Sequence, residues 1–340
     1  MSAVSVQSHF PLQALNTFGM DVFADAYAAI HSPADLMTLR ADPTWAAQPV
    51  LVLGAGSNLL LTGNVGGLVL HMRTTGKEVV GEDHSSIYVR AAAGEDWHTF
   101  VLWTLEAGYA GLENLSLIPG TVGAAPVQNI GAYGVELQER FHALRALDWT
   151  TGEIKTFDHS SCRFSYRDSF FRRARGRFII MDVVFALPKR WQNNLSYPDV
   201  EQAWRAQGAP PLTPLLVSRI IADIRRRKLP DPAVAGNAGS FFKNPSVSRA
   251  RFEALRADYP DMPGYIQADG YYRLAAGWLI EQCGWKGKTV GDVGVWETQA
   301  LVLVNRGKAC GQDIARVSLM IQEAVNEKFG VWLEPEPVFV

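Results

Sequence analysis

The sequence predicts an α+β fold with more than one domain. Its 340 residues exceed the roughly 100–200 of a typical domain. Short apolar runs alternate irregularly with amphipathic segments, so the regular strand–helix alternation of a doubly wound sheet is missing. Hydrophobic residues make up 48% of the chain and charged residues 19%, which is enough to form a sizeable buried core.

Short apolar runs with β-branched residues predict buried strands. These runs are Val50–Leu53, Gly67–Met72, Ile87–Ala93, Phe178–Leu187 and Ala300–Val304. Apolar residues with helical spacing predict helices at Asp96–Ala107, Leu274–Cys283 and Asp313–Phe329. Gly108 and Gly330 suit the residue after a helix, Asp313 suits an N-cap, and Lys328 suits a last turn.

Proline marks two boundaries. The stretch from Pro188 to Pro214 contains five prolines and few apolar runs, which is typical of a linker or a functional loop. A second junction is expected at Leu229–Pro232.

Composition excludes several classes of protein. The net charge of -2 does not favour binding to nucleic acid or to an anionic membrane. The three cysteines, Cys162, Cys283 and Cys310, form no motif for a disulfide framework or a metal site, which fits a reducing cytoplasm. The N-terminus lacks the pattern of a signal peptide, and no apolar run is long enough for a transmembrane helix.

Two glycine-rich segments are candidates for a phosphate or cofactor site. Gly54–Leu60 follows a predicted strand, but Leu59 stands where a dinucleotide fingerprint needs glycine, so either a non-Rossmann phosphate loop or a simple tight turn fits. Ile118–Gly134 is rich in glycine, alanine and proline and poor in charge. It suits wrapping around a large ligand better than a surface loop, and Gln128, Asn129 and Tyr133 offer polar groups.

Gly236–Pro245 places Ser240 between small residues and two phenylalanines, followed by Lys243 and Asn244. A serine in such a water-poor loop can donate a proton if a neighbour tunes its acidity. A purely structural serine remains the alternative, and the G-x-S-x-G pattern of a nucleophile elbow is absent.

Charged residues supply three further candidates. Arg167 suits a clamp on a carboxylate or phosphate, although a structural pair with an aspartate fits the spacing equally. Arg225–Lys228 ends a helical run, most of which is expected to form a solvated face, and Lys228 is placed to meet a diphosphate. Glu334 and Glu336 share one face of a proline-flanked extended segment. Two interpretations fit: they act as acid groups, or they are simply an exposed pair.

Six segments, in this order, resemble the UDP-N-acetylenolpyruvoylglucosamine reductase family. They are Thr17–Gly19, Gly54–Asn58, Ile118–Gly134, Ser165–Ser169, Gly236–Pro245 and Trp332–Glu336. The third and fifth are long and specific, and together the six span nearly the whole chain. The loop around Asn194–Asp199 is similar to that of the type I subgroup.

The resemblance implies an α+β architecture with an FAD-binding fold of the vanillyl-alcohol-oxidase (PCMH) type. Two FAD-binding subdomains are expected at residues 1–75 and 76–228, the second with a type I substrate loop near 190–212. An α+β substrate-binding domain is expected at 229–330. The strand at 331–340 is expected to return to the FAD-binding part.

The resemblance also implies roles for individual residues. Ser240 matches the proton donor, and Arg167 and Glu336 match the other catalytic positions. Substrate contacts are implied for Tyr166, Tyr197, Lys228, Asn244 and Gln299, with Tyr197 as a lid. FAD contacts are implied for Gly54, Ala55, Gly56, Ser57, Asn58, Leu59, Pro119, Gly120, Thr121, Gly123, Ala124, Gln128, Asn129, Ile130, Gly131, Tyr133 and Gly134.

The implied activity is the NADPH-dependent, FAD-mediated reduction of UDP-N-acetylenolpyruvoylglucosamine to UDP-N-acetylmuramate, by a cytoplasmic monomer without a metal. Hydride would come from flavin N5 and the proton from Ser240. Two alternatives remain: a flavin oxidase of the same fold that uses oxygen, and a non-catalytic flavin or nucleotide sensor. The set of Ser240, Arg167 and Glu336 argues against the sensor.

Overall fold

The computed structural model describes residues 4–340, which cluster into two compact units. Unit 1 comprises residues 4–10, 23–56 and 65–227. Unit 2 comprises residues 11–22, 57–64 and 228–340. Both units mix strands and helices, as the irregular alternation predicts. The proposed division into two FAD-binding subdomains and a substrate-binding domain stays a prediction.

The strands confirm the runs predicted from apolar residues and add others, among them the eight-residue strands Phe23–Ile30 and Phe141–Asp148. In chain order they are β1 Val6–Pro11, β2 Phe23–Ile30, β3 Val50–Leu53, β4 Leu59–Leu60, β5 Val65–Met72, β6 Lys77–Glu82, β7 Ser86–Ala92, β8 Gly131–Ala132, β9 Val135–Glu136, β10 Phe141–Asp148, β11 Ile154–Asp158, β12 Phe178–Pro188, β13 Gly236–Ser240, β14 Ser246–Val247, β15 Gly264–Ile266, β16 Tyr272–Leu274, β17 Thr289–Val290, β18 Val293–Val295, β19 Val302–Asn305 and β20 Val338–Phe339.

Unit 1 contains two larger sheets. One has the order β1-β2-β5-β3, in which β5 pairs in parallel with both β2 and β3. The other is antiparallel with the order β11-β10-β12-β7-β6. Its central strand β12 is almost wholly buried, because nearly every residue is apolar. Its edge strand β6 carries exposed charges, which discourage pairing with another chain.

Unit 2 contains smaller sheets. One has the order β13-β19-β18-β17 and another the order β14-β16-β15. The chain's last strand, β20, pairs in parallel with β4, so residues 338–339 lie beside residues 59–60. The backbone carbonyl of Val340 accepts from the Thr62 N–H at 2.7 Å, which extends this pairing.

The helices are α1 Pro33–Ala41, α2 Pro43–Ala46, α3 Trp97–Glu106, α4 His159–Cys162, α5 Phe170–Arg173, α6 Pro198–Ala206, α7 Pro214–Lys228, α8 Arg249–Asp258, α9 Ala276–Gln282 and α10 Gly311–Phe329. Within residues 4–340, none is long and apolar enough to cross a membrane. The Asp96 carboxylate caps α3 by accepting from Thr99 N–H at 2.8 Å. The N-cap of α10 is Cys310, so the predicted cap at Asp313 is wrong: Asp313 is the third residue of a capping box.

The core of unit 1 draws on both sheets, and part of it is formed where α3 packs on the antiparallel sheet. Trp97 and Phe100 on α3 and Phe185 on β12 are fully buried or nearly so. The Phe100 and Phe185 ring centroids are 5.1 Å apart. The helix therefore buries the apolar face predicted from its periodicity, and this packing fixes the start of α3 where the site is built.

A buried carboxylate anchors the far end of the same sheet. The Asp148 side chain is fully buried, and it accepts from Lys155 Nζ at 2.9 Å and from Arg177 Nη2 at 3.0 Å. The hydrogen bond from Arg177 is the main cause that holds the pKa of Asp148 well below its usual range. The pairing with Asp148 gives Arg177 a structural role at this end of the sheet.

Asp148→Asn is expected to lower the free energy of unfolding by about 1.5–3 kcal/mol at neutral pH, the range for losing hydrogen bonds to a charged group. Folding lowers the pKa of this carboxyl, so its ionised form stabilises the protein fully at a pH above the unfolded pKa of about 3.9. That stabilisation decreases as the pH falls below this value. The difference in unfolding free energy between wild type and Asp148→Asn should therefore be smaller at about pH 3 than at neutral pH, as measured by urea denaturation. Glu153→Gln, which alters an exposed partner of Lys155, is the matched control and should have little effect.

Candidate active site

The predicted site residues fall into two groups, one in each unit. Unit 1 holds Gly54, Ala55, Gly56, Pro119, Gly120, Thr121, Gly123, Ala124, Gln128, Asn129, Ile130, Gly131, Tyr133, Gly134, Tyr166, Arg167 and Tyr197. Unit 2 holds Ser57, Asn58, Leu59, Lys228, Ser240, Asn244, Gln299 and Glu336. Each group is described within its own unit.

The two glycine-rich segments of unit 1 approach each other closely. Gly54 follows β3, and a Cβ at this position would lie 2.6 Å from the Thr121 hydroxyl oxygen. A larger residue at 54 would displace the Thr121 side chain, so the two segments predicted separately from the sequence lie against each other. Small residues packed in this way suit a large ligand that is held through the backbone.

The segment 120–123 is held against the start of α3. Gly123 N–H donates to the Ala93 carbonyl at 2.9 Å, and Val122 N–H donates to the Glu95 carbonyl at 2.9 Å. The Glu95 carboxylate is itself held by Lys77 Nζ at 2.9 Å and by Gly76 N–H at 2.7 Å. Sequence reasoning missed Glu95, because its residue type carries no signal until its partners are known.

The second half of the segment is a 3₁₀ turn at Ala125–Gln128 followed by the β8–β9 hairpin. Asn129 has a left-handed backbone with φ 45° and is fully buried. Its side-chain amide donates to the Glu136 carboxylate and to the Ser165 carbonyl. The Asn129 side chain thus ties the predicted cofactor loop to the 165–169 loop.

Arg167 lies against this hairpin. Its Nη2 donates to the Gly131 carbonyl at 2.5 Å, and its guanidinium carbon lies 5.1 Å from the Tyr166 ring centroid. Asp168, its neighbour, pairs with Arg173 at 2.9 Å. The predicted catalytic arginine and the predicted cofactor loop are therefore in direct contact.

The loop predicted to be a type I substrate loop is anchored to the same hairpin. Trp191 Nε1 donates to the buried Glu113 carboxylate at 2.7 Å. The Asn114 amide donates both to the Tyr133 carbonyl at 2.9 Å and to the Asn194 carbonyl at 3.0 Å. This leaves Tyr197 44% exposed, with its ring edge-to-face with Tyr133 at 5.2 Å.

Most of the run Arg225–Lys228 was predicted to form a solvated face: Arg226 and Arg227 are exposed, whereas Arg225 on α7 is only partly exposed. Its Nε donates to the Leu117 carbonyl at 3.1 Å. Burial is the main cause that lowers the pKa of this guanidinium. The spacing from Val217 and Ile221, four residues apart, could have placed Arg225 on the buried face of the helix.

Ser240 in unit 2 ends β13 and pairs with Val302, after a bulge that begins at Asn237. The buried Asn237 accepts from Gly239 N–H at 2.9 Å, and Gly239 has φ +70°. Phe241, which follows, is fully buried. The bulge and the buried phenylalanine together hold Ser240 in a half-buried position at the end of the strand.

The C-terminal segment runs beside Ser240. Glu336 N–H donates to the Phe241 carbonyl at 2.8 Å, and the Asn58 amide approaches the Glu336 carbonyl at 3.4 Å. Glu334 points elsewhere and pairs with Lys243 at 2.5 Å. The structure therefore brings together Ser240, Glu336 and Asn58, which are far apart in the sequence.

The predicted substrate contacts of unit 2 lie on nearby elements of the same unit. Asn244 Oδ1 accepts from Ala276 N–H at 2.9 Å, at the start of α9. Gln299 Oε1 accepts from Leu301 N–H at 3.3 Å. The Lys228 carbonyl accepts from the Thr298 hydroxyl at 2.9 Å, which joins the end of α7 to the residue beside Gln299. Within residues 4–340 no cluster of three or more histidine, cysteine or acidic side chains is arranged to hold a metal ion.

Two family models match the chain. An FAD-binding domain matches residues 24–158, and the C-terminal domain of UDP-N-acetylenolpyruvoylglucosamine reductase matches residues 231–340. The FAD-binding match covers both glycine-rich segments, and their close-packed backbone and neighbouring cations fit an anionic dinucleotide. FAD is the cofactor of this chain, and the predicted FAD-binding α+β fold is confirmed.

Curated relatives and a solved structure cover the full length. UDP-N-acetylenolpyruvoylglucosamine reductase of Paraburkholderia xenovorans is 55% identical over 97% of this chain and 96% of the relative. That of Azoarcus sp. is 52% identical over 99% of this chain and 98% of the relative. The crystal structure of the Thermus caldophilus reductase superposes with a TM-score of 0.67 at 23% identity, covering 100% of this chain and 99% of that one. The chain belongs to the UDP-N-acetylenolpyruvoylglucosamine reductase family.

Proposed function

We propose that this enzyme reduces the enolpyruvyl group of UDP-N-acetylenolpyruvoylglucosamine to give UDP-N-acetylmuramate, a peptidoglycan precursor, with NADPH as the electron donor. The match to reductases at 55% identity over nearly the whole of both chains carries this proposal. Within unit 2, the backbone contact between Glu336 and the residue after Ser240 supports it. The enzyme would act as a cytoplasmic monomer.

Bound FAD would supply the redox chemistry that carries a hydride from NADPH to the vinyl carbon of the substrate. Ser240 would then donate a proton to the α-carbon. Serine is a weak acid, so the negative charge that develops on the α-carbon must drive this transfer. The half-buried position of Ser240 beside Phe241 supports the role, because little water competes there as a proton source.

Arg167 and Glu336 would stabilise the charge that spreads into the substrate carboxylate. An arginine that is already oriented needs no rearrangement as the charge develops. The hydrogen bond from Arg167 to the Gly131 carbonyl and its contact with Tyr166 support such an orientation. Lys228 would hold the diphosphate as a point charge, Asn244 and Gln299 would contact the sugar nucleotide, and Tyr197 would close over it.

The half-reactions test the proposal without any mutation. Under anaerobic conditions the purified protein should be yellow, NADPH should bleach the flavin, and the enolpyruvyl sugar nucleotide should restore the colour in a single turnover. Running NADH in parallel measures the donor preference. If reduced flavin ignores the sugar nucleotide and reacts rapidly only with oxygen, the enzyme is an oxidase and the proposal is wrong.

A further inference from the structure

The start of α3 holds the stretch of chain that leads into the second glycine-rich segment. Trp97 N–H donates to the Gly120 carbonyl at 3.1 Å, and the Trp97 indole Nε1 donates to the Leu115 carbonyl at 2.9 Å. The next residue, His98, accepts from Leu117 N–H at 3.0 Å through its ring Nδ1. The first turn of α3 therefore contacts this stretch repeatedly, and His98 supplies the contact at Leu117.

Leu117 needs such a contact because of its backbone conformation. Its φ is 58°, in the left-handed region that bulky residues rarely adopt. Pro119, two residues later, has no N–H and restricts the backbone of Ile118. A residue in this conformation persists only where its surroundings hold it, and here His98 binds its N–H while Arg225 Nε binds its carbonyl at 3.1 Å. These two contacts fix the path by which the chain enters the glycine-rich segment.

The direction of the hydrogen bond fixes the protonation state of His98. A backbone N–H can only donate, so Nδ1 must carry a lone pair and no proton. His98 is therefore a neutral imidazole with its proton on Nε2. A protonated ring would turn a second N–H toward the Leu117 N–H, and the hydrogen bond would be lost.

The surroundings of His98 favour its neutral form. It lies in the first turn of α3, where the positive end of the helix dipole disfavours a cation. Burial is the main cause that lowers its pKa from the ordinary value of 6.5. Among the charged groups, Asp96 at the N-cap of α3 acts against this shift, whereas Arg226 and Arg225 of α7 act in the same direction. A histidine whose pKa is lowered by folding stabilises the fold fully above its unfolded pKa of about 6.5, and this contribution is lost as the pH falls below that value.

We propose that His98 is a positioning residue for FAD: its unprotonated ring holds Leu117 and so keeps the glycine-rich segment in the shape that binds the cofactor. FAD should therefore bind more weakly when His98 becomes protonated. A segment that can leave its binding shape holds a ligand less tightly, in proportion to the fraction of molecules in other shapes. The inference rests on the predicted contacts between this segment and FAD, and it needs nothing from the identity of the substrate.

The test compares variants that keep or remove the acceptor. His98→Asn carries an acceptor oxygen bonded to Cγ, as Nδ1 is, but does not titrate, whereas His98→Leu removes the acceptor and keeps an apolar side chain. His84→Asn is the matched control, because His84 lies exposed on the turn between β6 and β7. The holoenzyme of each variant is diluted stepwise, and the release of FAD is measured by flavin fluorescence between about pH 8 and about pH 5, the range that brackets histidine titration.

His98→Leu should raise the dissociation constant of FAD about tenfold at about pH 8, the scale of one hydrogen bond to a buried donor. His98→Asn should stay within about threefold of the wild type at that pH, because it restores the acceptor. As the pH falls to about 5, the wild type should lose affinity relative to His98→Asn by about tenfold, since only the wild type loses its acceptor. His84→Asn should follow the wild type at every pH.

The proposal is overturned if His98→Leu binds FAD as tightly as the wild type, if asparagine is as damaging as leucine, or if the wild type and His98→Asn respond to pH alike. A histidine with a purely structural role gives this last result. If His98→Leu does not fold, the pH comparison between the wild type and His98→Asn still decides. No measurement uses the sugar nucleotide, so a failure of the proposed function leaves this test intact.

Discussion

Ser240→Ala is expected to leave flavin reduction by NADPH at the wild-type rate and to slow flavin reoxidation by the sugar nucleotide by about 10²- to 10⁴-fold. This range is typical of losing a positioned general acid. The two half-reactions separate because only the second one needs a proton on carbon. Anaerobic stopped-flow absorbance of the flavin measures both steps in the same protein.

A matched serine lies close by in the chain. Ser246→Ala alters an exposed hydroxyl on β14 and should change neither half-reaction. If Ser240→Ala slows both half-reactions equally, the hydroxyl serves the flavin site rather than the substrate, and its role as proton donor is wrong. If neither step slows, another group delivers the proton.

Gly123→Ala is expected to release most of the FAD and to lower the free energy of unfolding by about 1–3 kcal/mol, as overpacking does. The new Cβ would lie 2.5 Å from the Ala93 Cβ and 3.1 Å from the Ala93 carbonyl oxygen. Ala93 cannot move easily, because its N–H donates to the Met181 carbonyl on the central strand. The cofactor segment must therefore shift, and the ratio of flavin to protein absorbance after purification measures the loss.

Gly81→Ala is the control within the same unit. No atom lies within 4 Å of a Cβ placed at position 81, and the backbone φ of Gly81 is not in the left-handed range. It should keep the flavin content and the thermal midpoint of the wild type. Full flavin content in Gly123→Ala would show that the segment tolerates displacement and that its close packing is not required for FAD binding.

Much of the secondary structure could be predicted because its signals are local. The β-branched runs became strands, and the apolar periodicity of residues 96–107 predicted the buried face of α3. Strand pairing was out of reach, because pairing depends on which distant segments meet. Nothing in residues 59–60 or 338–339 indicates that they are partners, although they form one parallel pair.

Some residues of the candidate site could likewise be predicted from local sequence signals, and others could not. Glycine and small residues revealed the two loops, since their composition excludes ordinary helices and strands. Glu95, Asn114 and Arg225 were not found as site residues, because each takes its role from a partner far away in the sequence. Cations at a helix end usually face water, as Arg226 and Arg227 do, whereas Arg225 is only partly exposed.

The bulge in β13 constrains how this enzyme can evolve. Side chains of a strand alternate between its two sides, so adding or deleting one residue between Asn237 and Ser240 would carry the hydroxyl to the opposite side. A substitution in this stretch can have a mild effect, but a change in its length would turn the Ser240 hydroxyl to the other side of the strand. Loops elsewhere can grow or shrink over generations, whereas this short stretch must keep its residue count.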